Sequence, residues 1–164
     1  MLENTLKPNR LRARSIAKKL LVKIGTTAPP VKLAPIIKNL NLFAIPFNKN
    51  DFTNKNIFGF VSLEDGILAY NDSDPTVRKR FSVAHEIGHL LLGHPGQGGT
   101  FNLESKDPRE VEANFFAAEL LIPFDWIKTD LKEPEANVKT LASKYWVSEL
   151  AMGWRIFNSD ALLN

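Results

Sequence analysis

The chain has 164 residues, 44% hydrophobic and 24% charged, the balance of a soluble domain with a real core. Collagen-like, coiled-coil and disordered organisations are excluded, and the lack of cysteine excludes disulfide scaffolds, thiol nucleophiles and thiolate metal sites. The formal net charge is +3, and the three histidines, His85, His89 and His94, fall within ten residues, so a transition-metal site must combine them with carboxylates.

Residues 1–24 carry Lys7, Arg10, Arg12, Arg14, Lys18, Lys19 and Lys23 against a single acid, Glu3. Such a basic segment can bind nucleic acid, an anionic membrane or an acidic partner, or form the solvated face of a helix. Leu11, Ile16, Leu20, Leu21 and Ile24 recur near helical spacing, predicting a helix with one packed stripe that ends near Gly25. Pro29-Pro30 marks a turn, and residues 31–40 read as a short second helix. Leu42–Phe47 is a strand which Pro46 confines to an edge. Residues 48–56 are a polar loop. The runs 57–62 and 67–70 form a hairpin turning at Glu64, Asp65 and Gly66.

Asp74-Pro75 is a helix-start signal, with aspartate as N-cap and proline at the first helical position. The helix it opens extends to Gly93 and is apolar around most of its circumference, which places it at the centre of the fold. The HPGQGGT segment (94–100) reads as a loop, and Asp107-Pro108 opens a helix lasting to Leu121. Shorter helices follow near 124–131, 135–145 and 148–158. The order implies an α+β domain: a small antiparallel sheet packed on a central metal-binding helix, with flanking N- and C-terminal helices. The expected division is 1–130 as the main domain and 131–164 as a helical extension packed on it. Nothing approaches the roughly 18 apolar residues of a membrane span, and no signal peptide is evident, so a cytoplasmic location is expected.

His85-Glu86-Ile87-Gly88-His89 is an HExxH sequence inside the central helix. At about 100° per residue, positions four apart share a face, so two imidazoles can bind one metal ion. Two histidines suit zinc, and Glu86 is placed to act as general base toward a water. Catalytic zinc takes a third protein ligand. His94 would point about 180° from His85 on a continuous helix. It is expected instead at the helix end, facing solvent or substrate. The metzincin pattern places glycine and histidine where Leu92 and Pro95 stand. A carboxylate from the next helix is the alternative. Spacing favours Glu110 over Glu112, because Asn114 lies one turn after Glu110 and could accept an N–H from a ligating histidine. Glu110 also fits a capping box with Asp107.

FSVAHEIGHLLLGH (81–94) followed by EVEANFFAAELLIP (110–123) resembles the ImmA/IrrE family of zinc-dependent metallopeptidases. The second block has the family form E-x-x-A/C-N-x-x-A-A-x-L-L-M-P, with Ile122 in place of Met. The basic first helix, the APPVKL turn, a strand ending in Asn71 and the VRKR run (77–80) extend the similarity along nearly the whole chain. The resemblance implies a minimal gluzincin-like fold, one Zn2+ per chain on His85, His89 and Glu110, and Glu86 as catalytic base. It also implies a protein substrate, a helix-turn-helix repressor encoded nearby, whose cleavage derepresses a mobile element or stress response. The strand 67–71 is a candidate to pair with extended substrate, and Tyr70, His94 and Tyr145 are candidate oxyanion donors.

LASKYWVSELAMGWRI (141–156) reads as helix-turn-helix with Ser148 capping the second helix. That helix carries Arg155 as its single base, too little for phosphate binding, so a packing or substrate-docking role is the expectation. The competing function is a non-proteolytic regulator or toxin–antitoxin component that binds DNA or a repressor, with zinc in a structural role.

Overall fold

The computed structural model describes residues 7–51, 53, 57–94, 98–99 and 102–159, and the account that follows concerns these. Helix α1 (Arg10–Ile24) begins at Asn9, whose side chain accepts from Arg12 N, and stops at Gly25 in the left-handed conformation. Its buried face is Ala13, Ala17, Leu20 and Leu21, while Leu11 is exposed. The expected stripe is therefore rotated: small alanines let α1 lie close to its neighbours, and size alone misplaces the face. α2 (Leu33–Asn39) follows the Pro29-Pro30 turn. α3 (Thr76–Leu92) starts one residue later than the sequence suggests. Pro75, not Asp74, occupies its N-cap, and the Pro75 carbonyl accepts from Arg78 N and Lys79 N at 2.9 and 3.0 Å. α4 (Pro108–Leu121) has the expected Asp107 cap, accepting from Arg109 N at 2.9 Å, and the short α5 (Phe124–Asp130) follows it.

The class is α+β, as the element order implies. The sheet, however, is mixed. Its strands are β1 (Phe43–Phe47), β2 (Gly59–Ser62), β3 (Ile67–Asn71) and β4 (Gly98–Gly99), in the order β1-β3-β2-β4. β2 and β3 form the expected antiparallel hairpin. β3 then inserts between β2 and β1 and pairs in parallel with β1, Phe43 opposite Ile67 and Phe47 opposite Asn71. The chain between β1 and β2 must therefore cross two strand spacings, about 10 Å. Reading consecutive strands as neighbours misses this. Pro46 sits on the edge strand, where its missing N–H costs no ladder bond. Gly98 and Gly99, expected as loop, pair with Phe60 and Gly59. The remainder of 94–100, and part of the 48–56 loop, lie outside the described residues.

One hydrophobic cluster joins α1, α3 and α4 to Leu141, Tyr145 and Met152 from α6 (Val138–Tyr145) and α7 (Glu149–Ser159). Buried ionic contacts reinforce it. Glu119 on α4, fully buried, faces Arg14 of α1 at 3.2 Å and is bound by Arg155 of α7. Its other oxygen accepts from Phe124 N at 3.2 Å, and Arg155 Nε donates to the Ile122 carbonyl at 3.0 Å. Groups beyond the end of α4 that the helix cannot satisfy are thus satisfied by side chains. Arg80 of α3 plays a similar part, donating to the Val31 carbonyl at 2.8 Å and the Trp146 carbonyl at 3.0 Å. Trp146 ends α6 at φ 56°, a costly conformation for a large side chain, and Arg80 also stacks 4.9 Å from its ring.

Replacing Arg155 with methionine leaves Glu119 buried with half its compensation. The expected loss is about 3–5 kcal/mol of unfolding free energy, read from denaturant titration. A loss under about 1 kcal/mol would mean that Arg155 contributes packing rather than charge.

Candidate metal centre

The site is built where α3 crosses α4. The two helices make the most extensive helix–helix contact in the fold. A Cβ on Gly88 would lie 2.9 Å from Phe116 Cδ1 and 3.2 Å from Phe116 Cβ, so only glycine allows this approach. With the helices so close, His85 and His89 on one turn of α3 meet Glu110 in the first turn of α4.

Their donor atoms form a triangle. His85 Nε2 is 2.9 Å from His89 Nε2 and 3.1 Å from Glu110 Oε2, and His89 Nε2 is 3.2 Å from Glu110 Oε1. Ligands of a tetrahedral zinc at about 2.0–2.1 Å lie about 3.3 Å apart, close to these approaches, in which the carboxylate meets the two rings with different oxygens. Among the described residues, these three are the group of histidine and acid side chains that converges in this way. All three are buried, His85 and His89 at 1% exposure. Burial, reinforced by the neighbouring His89, lowers the His85 pKa and favours the neutral, ligating form. Burial would raise the Glu110 pKa, but hydrogen bonds from His85 and His89 outweigh it and bring it down to about 2. A buried carboxylate faced by two imidazoles is a donor set that a divalent cation fits. Glu110 does not turn back to cap its own helix.

Glu86, beside His85 on α3, is 2% exposed and lies against β2, where a Cβ on Gly59 would come 3.1 Å from its Cγ. Asn114, one turn after Glu110, donates from Nδ2 to the Asn102 carbonyl at 2.9 Å. Its Oδ1 is thereby buried beside His85, whose N–H-bearing form it favours.

His94 and Glu112 stand outside the triangle. Gly93, left-handed at φ 73°, ends α3 and turns His94 back onto the helix. His94 does not face solvent as expected: its side chain is 8% exposed, Nδ1 meets His89 Nδ1 at 2.9 Å, and Nε2 meets Glu112 Oε2 at 3.0 Å. Gly93 supplies the break without which His94 would point away from His85. The expected pairing of β3 with substrate also fails, and Tyr145 has a structural role. β3 has β1 and β2 on its two edges, so it has no edge for substrate. Tyr145 is fully buried and donates to Asp130 Oδ2 at 2.8 Å, a packing role. Gly59 beside Glu86 could not be found from the sequence, because its partner comes from a strand pairing.

A family model described as the IrrE N-terminal-like domain, a peptidase family, matches residues 41–157. The chain belongs to the ImmA/IrrE family. It is also 34% identical over 128 residues to uncharacterized immunity region protein 2 of Bacillus phage phi105, covering 74% of this chain and 75% of that protein. Both blocks that carry the sequence resemblance, 81–94 and 110–123, lie inside the matched region. The ImmA/IrrE assignment suggests metallopeptidase-like chemistry, and His85, His89 and Glu110 form a group that could hold a metal ion. No helix among the described residues is long and apolar enough to cross a membrane.

Gly88→Ala tests the spacing. Alanine gains about 1 kcal/mol of helix propensity, against overpacking of about 1–3 kcal/mol on Phe116. Global stability should shift little, while metal affinity falls about tenfold or more as Glu110 moves off the histidines. Unchanged zinc affinity in a chelator competition would show that helix spacing does not set the site.

Proposed function

We propose that this protein is a zinc-dependent endopeptidase, with His85, His89 and Glu110 as metal ligands and Glu86 as general base. The observation that carries the proposal is the buried His–His–Glu triangle with Glu86 next to it on the same helix. A structural zinc site usually has four protein ligands and no use for an adjacent acid; three ligands leave a position for water. Zinc in this site would lower the pKa of a bound water and polarise the scissile carbonyl.

The side chains then divide the work. His85 and His89 present neutral nitrogens, and Glu110 supplies the negative charge that favours a dication. Glu86, held against Gly59 on β2, takes a proton from the attacking water and delivers it to the leaving amine nitrogen. Asn114 keeps the His85 ring turned so that Nε2 faces the triangle.

The substrate is proposed to be a helix-turn-helix repressor encoded nearby, cut in the cytoplasm to derepress a mobile element or stress response. The immunity-region relative supports a repressor-related setting. The reading as a DNA-binding regulator draws less support. Arg155, the single base of α7, is buried against Glu119, and Arg10, Arg12, Arg14 and Lys18 of α1 make contacts within the chain. Part of the basic segment's charge is thus used inside the chain, Arg14 on Glu119 and Lys18 on Asp125.

Glu86→Gln should bind one zinc per chain and lose cleavage of the neighbouring repressor by about 100-fold or more. The measurement is fragment formation with and without chelator. Undiminished cleavage by this variant would remove Glu86 from the mechanism. An intact repressor under every metal condition, held in a tight complex, would favour the non-proteolytic reading.

A further inference from the structure

We propose that His94, backed by Glu112, is a positioning residue that fixes which nitrogen of His89 carries the proton. The proposal rests on the reading of His85, His89 and Glu110 as metal ligands.

His89 Nε2 faces the triangle, so its Nδ1 points away from it, and there it meets His94 Nδ1 at 2.9 Å. Two ring nitrogens at that distance share one proton, and one of them must accept. The far side of His94 decides which. His94 Nε2 is 3.0 Å from Glu112 Oε2, and a carboxylate oxygen accepts, so Nε2 of His94 carries its ring proton. Nδ1 of neutral His94 is then the acceptor, and His89 Nδ1–H the donor. With a metal ion on His89 Nε2 in place of the proton that this nitrogen offers Glu110 Oε1, the ring stays neutral and its lone pair faces the site. The line ends on backbone: Glu112 Oε1 accepts from Asn9 N at 2.6 Å, at the cap of α1. Arg12 of the same turn donates to the Leu92 carbonyl at 3.1 Å, near the end of α3. The start of α1 thus holds the outer end of a hydrogen-bonded line that orients a metal ligand. Ligating histidines commonly have such a partner, usually a carboxylate or carbonyl; here an imidazole stands between the carboxylate and the ligand.

The test uses the full chain, zinc, and variants His94→Leu, His94→Asn and His85→Ala. Leucine fills the space and cannot accept; the amide oxygen of asparagine can stand where Nδ1 stood. His94→Leu should keep one zinc per chain with affinity lowered about 10–100-fold in chelator competition, and His94→Asn should recover most of that loss. Equal affinity in wild type and His94→Leu would overturn the proposal. Equal weakening by leucine and asparagine would also overturn it, leaving packing as the explanation. Long-range proton–nitrogen NMR on the zinc-loaded wild-type chain needs no variant. It should show His89 protonated on Nδ1 and His94 on Nε2, and the reverse tautomers would overturn the assignment. A wild-type chain that binds no zinc, or a His85→Ala chain that binds it normally, would instead fail the underlying ligand reading.

Discussion

The approach of α3 to α4 at Gly88 and Phe116 is the constraint on which the site depends. Glu110 and the histidine pair come from helices separated by a long connection, so nothing local holds them together. The interhelix distance does, and it is set where a hydrogen replaces a methyl group against a buried phenylalanine. Interiors packed at crystal-like density have little slack to absorb an extra methyl. The approaches of 2.9 to 3.2 Å among His85, His89 and Glu110 therefore inherit their dimensions from core packing rather than from flexible side chains.

Burying this much acid requires compensation, and each carboxylate of α4 receives a different kind. Glu119 is matched by two arginines from opposite ends of the chain. Glu112 takes a backbone N–H and an imidazole. Glu110 faces two imidazoles alone as its hydrogen-bonded partners. An arginine holds its own proton and satisfies a carboxylate permanently. A neutral imidazole pair leaves negative charge that a cation can still answer. The same accounting explains the basic first helix. Arg14 and Lys18 answer Glu119 and Asp125, and Arg10 lies 4.8 Å over the Phe115 ring. A charge run that resembles a nucleic-acid segment is, for these residues, an internal tie.

Features with a short-range cause were legible in the sequence. The i, i+4 histidines, the Asp107-Pro108 start of α4, the Ser148 cap and the Gly25 and Gly93 stops each follow from one turn of backbone. Glu110 was legible at one remove, through its own spacing to Asn114. Features set by the neighbours of a neighbour were not. The insertion of β3 between β1 and β2, the pairing of Gly98 and Gly99, and the small-residue face of α1 depend on what packs opposite. His94 shows the boundary between the two. Its distance from the ligand face was computed correctly for a helix that continues. A single left-handed glycine then returns the side chain to the same helix, against His89 on the side away from Glu110.

The sheet has its own part in the chemistry. Glu86 is next to His85 in sequence, so helical geometry alone turns the two side chains about 100° apart. A free glutamate with three rotatable bonds would spend little time in one useful position. β2 removes that freedom by placing the bare backbone of Gly59 alongside the Glu86 stem, while the Ala69 carbonyl closes the other side of the same small space. A side chain at 59 would claim the volume that Glu86 occupies. The helix pair therefore sets His85 and His89 against Glu110, and the hairpin confines Glu86. The two halves of the fold meet in one residue that neither could orient alone.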